Sequence, residues 1–571
     1  MNQYKIIIAD SKYTHWNFHC NDTNEILSLD EHPFLKTINP SMHKLFNRDV
    51  FTIEDNHVNV VQSCIKSTNS IAGVLMLENN KTFGRTMNKK RLYYKCIPDD
   101  SRLPAFLLPY EVKMGFSKVQ KNKYVVFKFE NWTEKHPYGL LQETLGDVDN
   151  LDIFYEYQLY CKSLHISLND FTNKTRQELN KNNTEYYIDK ILKNSDFNIQ
   201  DHSDKYVFTI DPKSSSDFDD GYSIEKLENG DYRVGIYIAN VFLWLETLGL
   251  WNSFSKRVAT IYLPDRRRPM LPNILSDTLC SLQEKQRRFA FVMEFIVSDN
   301  TVSNVEYKNV LIQVSRNYHY EEPRLFNDVK YKMLLELSRT MDSNIKDSHD
   351  VVAHWMIFMN TQVANLLYEN NSGIFRSVNY INTEVNTIAG IDDETVRVIH
   401  SWNNTIGQYL EFDGNVNIKH DFMKSKYLHI TSPIRRIVDL LNQIILFDKE
   451  KLVDNISEEA VSFLKKWLSE LDYLNTSMRS IRKIQTDCAL LDRCFGDPCI
   501  MNKEYSGILF DKVVRGNLTM SYMVYLKELK MLSRINVSID VDNFSLHNFK
   551  LYLFENEDKT KKKIRLQMLD K

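Results

Sequence analysis

The sequence predicts an α+β protein in which β-rich ends flank a longer mixed α/β block. Three observations carry that reading. Strand-like runs fill the first 150 residues, a strand pair around Asn229-Gly230 sits beside a cluster of acids, and short apolar runs return after Tyr505. At 571 residues the chain is too long for one hydrophobic core, and about three to five domains are expected. An apolar share of 43% and a charged share of 26% suit a folded globular protein. No apolar run approaches the roughly 18 residues of a membrane span, and Met1–Tyr13 lacks the layout of a signal peptide, so an intracellular protein away from the membrane is expected. The eight cysteines include no CxxC pair, which favours reduced thiols over disulfides or a zinc site. A net charge of −3 argues against a simple basic nucleic-acid coat but leaves room for a local basic channel.

Along the chain, Gly73–Leu77 and Tyr124–Phe129 read as strands. Between them Arg85, Lys89, Lys90 and Arg91 precede Tyr93 and Tyr94. Cations beside aromatics suit a single-stranded nucleic-acid surface, and a solvated loop explains them equally well. Residues 151–200 are polar, with helix-like stretches at Tyr155–Tyr160 and Tyr186–Leu192, and read as a connector. The block from about 201 to 500 holds every strong motif. Within it Ser457 is an expected N-cap, with Glu458 and Glu459 in the first turn and Val461, Leu464, Leu468 and Leu471 as the apolar stripe. The tail, 501–571, reads as a small β-barrel ending in the basic cluster Lys559–Lys563.

The most informative segment is Ile210–Asn240. Asp211, Asp217, Asp219 and Asp220 fall within ten residues, between a strand-like run at Lys205–Ile210 and a hairpin with Asn229-Gly230 as its two-residue turn. Four carboxylates so close repel one another unless a cation neutralises them. Hard oxygen donors suit Mg²⁺, with Mn²⁺ as the alternative, and Mg²⁺ commonly completes its shell with substrate phosphates. An EF-hand fails: with Gly221 at position 6, Ser216, Phe218 and Leu227 occupy positions 1, 3 and 12. A solvated acidic turn remains the competing explanation from these residues alone.

Two further segments are candidates for phosphate and base contacts, with paired surface arginines and a core tyrosine as the competing explanations. In His429–Asn442, Ser432 as N-cap and Pro433 as first helical residue place Arg435 and Arg436 in a first turn, where cations oppose the helix dipole and so suit a phosphate. In Arg257–Leu282, prolines bracket Met270-Leu271, which predicts a fixed extended loop, and Arg266–Arg268 lie beside Tyr262, a candidate stacking platform.

Together these runs resemble the RNB family of exoribonucleases, the group of RNase II, RNase R and the exosome's catalytic exoribonuclease. The acidic spacing of Ile210–Asp220, the YLP, PMLP and CSL elements of Tyr262–Leu282, and the HxTSPIRRxxDL pattern at His429–Leu440 occur in the family's order. The resemblance implies an RNB catalytic domain (201–500) flanked by OB-fold, cold-shock-like RNA-binding domains at 1–70, 71–150 and 501–571, with no room for an endonuclease domain. It implies a monomeric, Mg²⁺-dependent exonuclease acting on single-stranded RNA from the 3′ end. Asp211, Asp217 and Asp220 would hold metal, and Asp219 would align metal or ribose. Arg435 would fix the scissile phosphate, and Tyr262, Tyr320, Arg268, Ser432 and Arg436 would contact RNA. Departures from the family pattern are Tyr237, Asn240, Arg287, Ala353, His354 and Ile437. They keep open a weakened relative that binds RNA or a partner without cutting.

Overall fold

The structure, a computed structural model, describes the chain apart from residues 1, 55–56, 79–80, 88–89, 113–119, 379–390, 393–394, 397, 400–401, 403–406, 415–419, 421–424, 516–518 and 570–571. Lys89, named above as a nucleic-acid contact, lies outside the described residues. Two compact units emerge: Met1–His165 with Leu263–Asp265 and Lys483–Lys571, and Ile166–Tyr262 with Arg266–Arg482.

The first unit is mostly β. Strands β1 (Tyr4–Ile8), β2 (Trp16–Cys20), β3 (Val50–Glu54) and β4 (His57–Gln62) form a sheet in the order β2-β1-β3-β4. Strands β5 (Ile71–Leu75), β6 (Thr82–Arg85), β7 (Leu92–Pro98), β8 (Phe106–Tyr110), β9 (Lys123–Asn131) and β10 (Tyr138–Asp147) follow. Their order β5-β9-β10-β8-β7-β6, with a further β5–β7 pairing, closes a barrel. One hydrophobic cluster runs through both sheets, with Phe46 stacked on Phe106 and packed against Trp132. Tyr94, expected at a nucleic-acid surface, is 4% exposed and part of that core. Helix α1 (Leu151–Cys161) follows, capped by Asn150, whose side chain accepts from the backbone N–H groups of Asp152 and Ile153.

The second unit holds α2 (Asn169–Leu179), α3 (Thr184–Lys193) and a sheet built from β11 (Ile199–Asp201), β12 (Val207–Asp211), β13 (Asp220–Lys226) and β14 (Tyr232–Ala239). After α4 (Val241–Thr247), β15 (Ile261–Tyr262) pairs with β16 (Arg267–Arg268). Long strands β17 (Arg287–Ser298) and β18 (Thr301–His319) then complete the central sheet, β11-β18-β12-β13-β14-β17, and the β18–β17 pairing closes it into a ring. Helices α5 (Val329–Met341) and α6 (Ser348–Glu369), strands β19 (Ile374–Ser377) and β20 (Gln408–Glu411), and helices α7 (Ile437–Lys449), α8 (Glu458–Ser469) and α9 (Leu471–Gly496) follow. In the first unit, a five-stranded antiparallel sheet, β23-β22-β21-β24-β25, ends the chain: β21 (Glu504–Arg515), β22 (Thr519–Leu526), β23 (Met531–Val537), β24 (Leu546–Glu555) and β25 (Lys562–Met568). The fold is therefore mixed α/β with β-rich OB-type ends.

Three local expectations need correction. The β13–β14 loop is three residues rather than two: the Leu227 N–H donates to Asp231 O, and Gly230 alone takes positive φ, at 92°. Helix α8 is capped by Ser457 as expected, but its buried face is Ala460, Phe463 and Trp467, while Val461 is exposed. The aromatic rings set the helix's rotation, because Phe463 packs on Trp251 and Phe254. Finally, no helix starts at Ser432. Residues 432–435 form a turn in which the Ser432 carbonyl accepts from Arg435 N and Arg436 N. Arg436 then bridges to Ala259 as backbone, and α7 begins at Ile437. The Ser-Pro pair starts a turn because the neighbouring chain, Val258–Thr260, takes up its backbone groups.

Candidate active site

The acidic cluster stands at the strand ends. Asp211 closes β12, Asp220 opens β13, and Asp217 and Asp219 lie in the loop between. That loop is pinned from outside. The Ser281 hydroxyl, fully buried, donates to the Ser216 carbonyl at 2.8 Å and accepts from the Phe218 N–H at 3.0 Å, on either side of Asp217. The Leu282 N–H bonds the Phe218 carbonyl, and the Ala239 N–H bonds the Asp219 carbonyl. Sequence reasoning gave Ser281 no role, although it sits in the CSL run.

The four carboxyls have different partners. Asp219, 2% exposed, accepts from the Ile434 N–H at 2.9 Å and from Arg435 Nε at 3.1 Å. Burial pushes its carboxyl up to about 8, against the pull of Arg435 and the Ile434 N–H. Asp220 accepts from the Tyr222 hydroxyl at 2.8 Å, and burial raises its carboxyl despite that bond and the guanidinium groups of Arg435 and Arg436. Asp211 is held well above the usual carboxylate range by burial and then by the facing Asp220 charge. Its Oδ2 is buried with no hydrogen-bond partner. Asp217 turns the other way, onto Arg267 at 2.6 Å and the Tyr262 hydroxyl at 3.3 Å. Arg267 also pairs with Asp277 at 2.6 Å.

Among the described residues, no three His, Cys, Asp or Glu side chains stand together at metal-ligating spacing. The reason is visible in the pairs above: Asp217 and Asp219 are engaged by arginines, which leaves Asp211 and Asp220 facing one another. That remaining pair suits a divalent cation. One buried oxygen lacks a partner, and mutual repulsion and burial disfavour two bare carboxylates.

Around the acids, Arg435 is tied to the Ser432 hydroxyl at 2.8 Å and to Asp219, while 43% of its side chain stays exposed. Tyr262 is 44% exposed. Tyr320 donates its backbone N–H to the Asp211 carbonyl at 3.1 Å and stacks its ring on His349 at 3.8 Å. Burial, followed by the charges of Asp220 and Asp211, raises its hydroxyl.

Two expected contacts point elsewhere. Arg436 is buried against Asp439 at 2.8 Å, and Asp439 also accepts from the Ser432 N–H. Arg268 is 6% exposed and donates to the Arg266 carbonyl. The departures at Tyr237 and Asn240 are structural. The Tyr237 hydroxyl meets the Ser223 hydroxyl at 3.1 Å, inside the sheet. Asn240 caps α4 through the Leu243 N–H and donates to Asn309 at 2.9 Å.

The ring-closed sheet thus carries the carboxylates at its strand ends, with Arg435 against them. Residues 199–330 match the RNB domain model. Among relatives, the chain is 28% identical over 236 residues to DIS3-like exonuclease 2 of Schizosaccharomyces pombe, covering 38% of this chain and 24% of that protein. It is 29% identical over 233 residues to Ribonuclease R of Thermotoga maritima, covering 40% and 32%. The matched stretches thus span a third or less of these relatives' own lengths. Mycoplasma genitalium RNase R, solved in complex with ribose-methylated single-stranded RNA, shares the fold across 99% of this chain and 100% of its own, with a TM-score of 0.66 at 16% identity.

Proposed function

We propose that this protein is a Mg²⁺-dependent exoribonuclease that shortens single-stranded RNA processively from its 3′ end and releases nucleoside 5′-monophosphates. The observation that carries the reading is the buried Asp211–Asp220 pair, with Asp211 Oδ2 unpartnered, beside the half-exposed guanidinium of Arg435. Mg²⁺ held by Asp211 and Asp220, with Asp217 after release from Arg267, would supply an activated water and charge neutralisation at the leaving oxygen.

The chain's own groups do the rest. Asp219 orients Arg435 through Nε, and the Ser432 hydroxyl holds one Nη, so the guanidinium approaches a phosphate in a fixed plane. Preorganised donors of this kind stabilise charge as it develops in the transition state. Tyr262 and the Tyr320–His349 stack offer ring faces to the terminal bases. Ser281 keeps the acidic loop in register with β13. The polarity and the single-stranded substrate rest on resemblance to the RNB relatives.

A second reading, an RNA binder that does not cut, is favoured by one observation: Asp217 is already neutralised by Arg267. One assay separates the two, using 5′-labelled single-stranded RNA and DNA with Mg²⁺, with and without EDTA. A ladder from RNA alone that EDTA abolishes supports exonucleolytic cutting. Intact RNA bound to the protein supports the binder, and internal cuts or loss of DNA overturn both.

A further inference from the structure

The first unit contains a cavity of about 520 Å³ that shares no residue with the acidic site. Its walls are the Asp99–Arg102 loop, the end of α1, the stretch Lys483–Cys488 of α9, and the β24–β25 hairpin. Strand alternation lines up the hairpin's cations. Lys561, Lys563 and Arg565 fall on one exposed face, while Lys562 between them points inward, paired with Glu555 and lying over the rings of Phe154 and Phe495. Lys162 and Lys483 enter from the helices.

The charges do not balance locally. Arg102 and Asp100 cancel in a forked pair with both bonds at 2.8 Å, and burial raises the Asp99 carboxyl against the pull of Lys162 and Lys561. That leaves the five cations Lys162, Lys483, Lys561, Lys563 and Arg565 around one cavity with Asp99 and Asp487 as the remaining carboxylates of its lining. None of these five cations forms an ion pair with a carboxylate among the described residues. Like charges around one concavity repel, and their field is focused inside it. The cradle is held in place by bonds outside the cavity: Tyr124 Oη donates to the Lys559 carbonyl, Lys559 Nζ pairs with Asp149, and Tyr155 Oη donates to Asp492. Arg565 stacks on Phe554 at 3.7 Å, so a planar, partly apolar wall adjoins the lysines.

We propose that this cavity binds a compact polyphosphate anion, of the class of inorganic triphosphate and nucleoside triphosphates. Several ammonium groups and a guanidinium converging from three walls match clustered phosphate oxygens. The volume lies within the roughly 300–1,000 Å³ of small-molecule sites, which favours a compact ligand over a strand passing through. The site does not depend on whether the acidic centre cuts RNA.

The test is titration calorimetry on the full chain with inorganic triphosphate, then ATP, at about 0.15 M salt, where only buried or converging charges keep most of their strength. Wild-type protein is expected to bind at one site, and Lys561→Glu/Lys563→Glu to lose at least about tenfold in affinity. A control with the same charge change, Lys465→Glu/Lys466→Glu on exposed positions of α8, is expected to bind as wild type. Should the reversal unfold the hairpin, Lys561→Gln/Lys563→Gln decides in the same way. Tighter binding of ATP identifies a nucleotide site, and equal binding a polyphosphate site. No binding by wild type, or equal losses in both charge-changed pairs, overturns the proposal. So does RNA binding that depends on Lys561 and Lys563 while triphosphate fails to bind, since the surface would then be a strand groove.

Discussion

Replacing Arg435 by alanine separates what that residue does for stability from what it does for chemistry. Arg435 Nε sits 3.1 Å from Asp219 Oδ2, and Asp219 is 2% exposed with the Ile434 N–H as its other partner. Arg435→Ala leaves a buried carboxyl oxygen unpaired, which costs about 1–3 kcal/mol. Asp219→Asn is close to isosteric and keeps an acceptor for the Ile434 N–H, so it is expected to stay within about 1 kcal/mol of wild type. In the double variant the carboxyl that Arg435 serves is gone as well, and stability should recover most of the Arg435→Ala loss, a coupling of about 1–2 kcal/mol. Activity should not recover. Both single variants and the double are expected to cut single-stranded RNA at least about 10²–10³-fold more slowly, the usual effect of losing a preorganised charge-stabilising group, while still binding it. Urea unfolding gives the first quantity, and single-turnover cleavage with saturating enzyme gives the second. A double variant as unstable as Arg435→Ala refutes the pairing, and one that cuts near the wild-type rate refutes the phosphate role.

Other substitutions test neighbouring parts of the account. Ser281→Ala removes the two hydroxyl bonds on either side of Asp217, so unfolding should become easier by about 1–3 kcal/mol and the cleavage rate should fall without loss of RNA binding. Asn240→Asp sets a carboxylate against Asn309 Oδ1 in a fully buried place. It is expected to destabilise by about 1–3 kcal/mol and to bring no gain in rate, measured by urea unfolding and the same cleavage assay. In α8, Trp467→Ala should cost about 3–5 kcal/mol and Val461→Ala less than about 0.5, and equal costs would contradict the observed rotation of the helix. Glu294 gives a pH test. Burial opposes its charge, yet Lys205 and Lys308 hold its carboxyl below the usual 4.5. A depressed carboxyl stabilises the fold above its unfolded value and loses that contribution as pH falls through its folded value. The stability gap between wild type and Glu294→Gln should therefore be full at neutral pH and close as the pH falls below the usual 4.5 and through the lower folded value.

Much of the architecture was legible because it depends on local rules. The β-run Tyr124–Phe129, the strand ending at Asp211, the Asn229-Gly230 hairpin and the Ser457 cap all follow from alternation, turn chemistry or capping within a few residues. What escaped the sequence depends on partners far along the chain. Ser432-Pro433 carries a helix-start signature, but Val258–Thr260 supplies competing backbone bonds and turns it into a tight turn. Arg436 reads as an RNA contact until Asp439 is found beside it, and Asn240 reads as a damaged site residue until Asn309 is found to accept its amide. The acidic spacing identified the loop. It did not reveal that Arg267 holds Asp217 while Asp211 and Asp220 face one another.

The claim that these carboxylates and Arg435 cut RNA from its 3′ end is tested most directly by following the last nucleotide. Single-stranded RNA labelled at the 3′-terminal internucleotide phosphate is incubated with the protein in Mg²⁺, and the first labelled product is identified by chromatography. The account predicts immediate release of label as a nucleoside 5′-monophosphate, abolished by EDTA and by Asp219→Asn. Label retained in long fragments, released as a 3′-monophosphate, or released equally well in EDTA would contradict it.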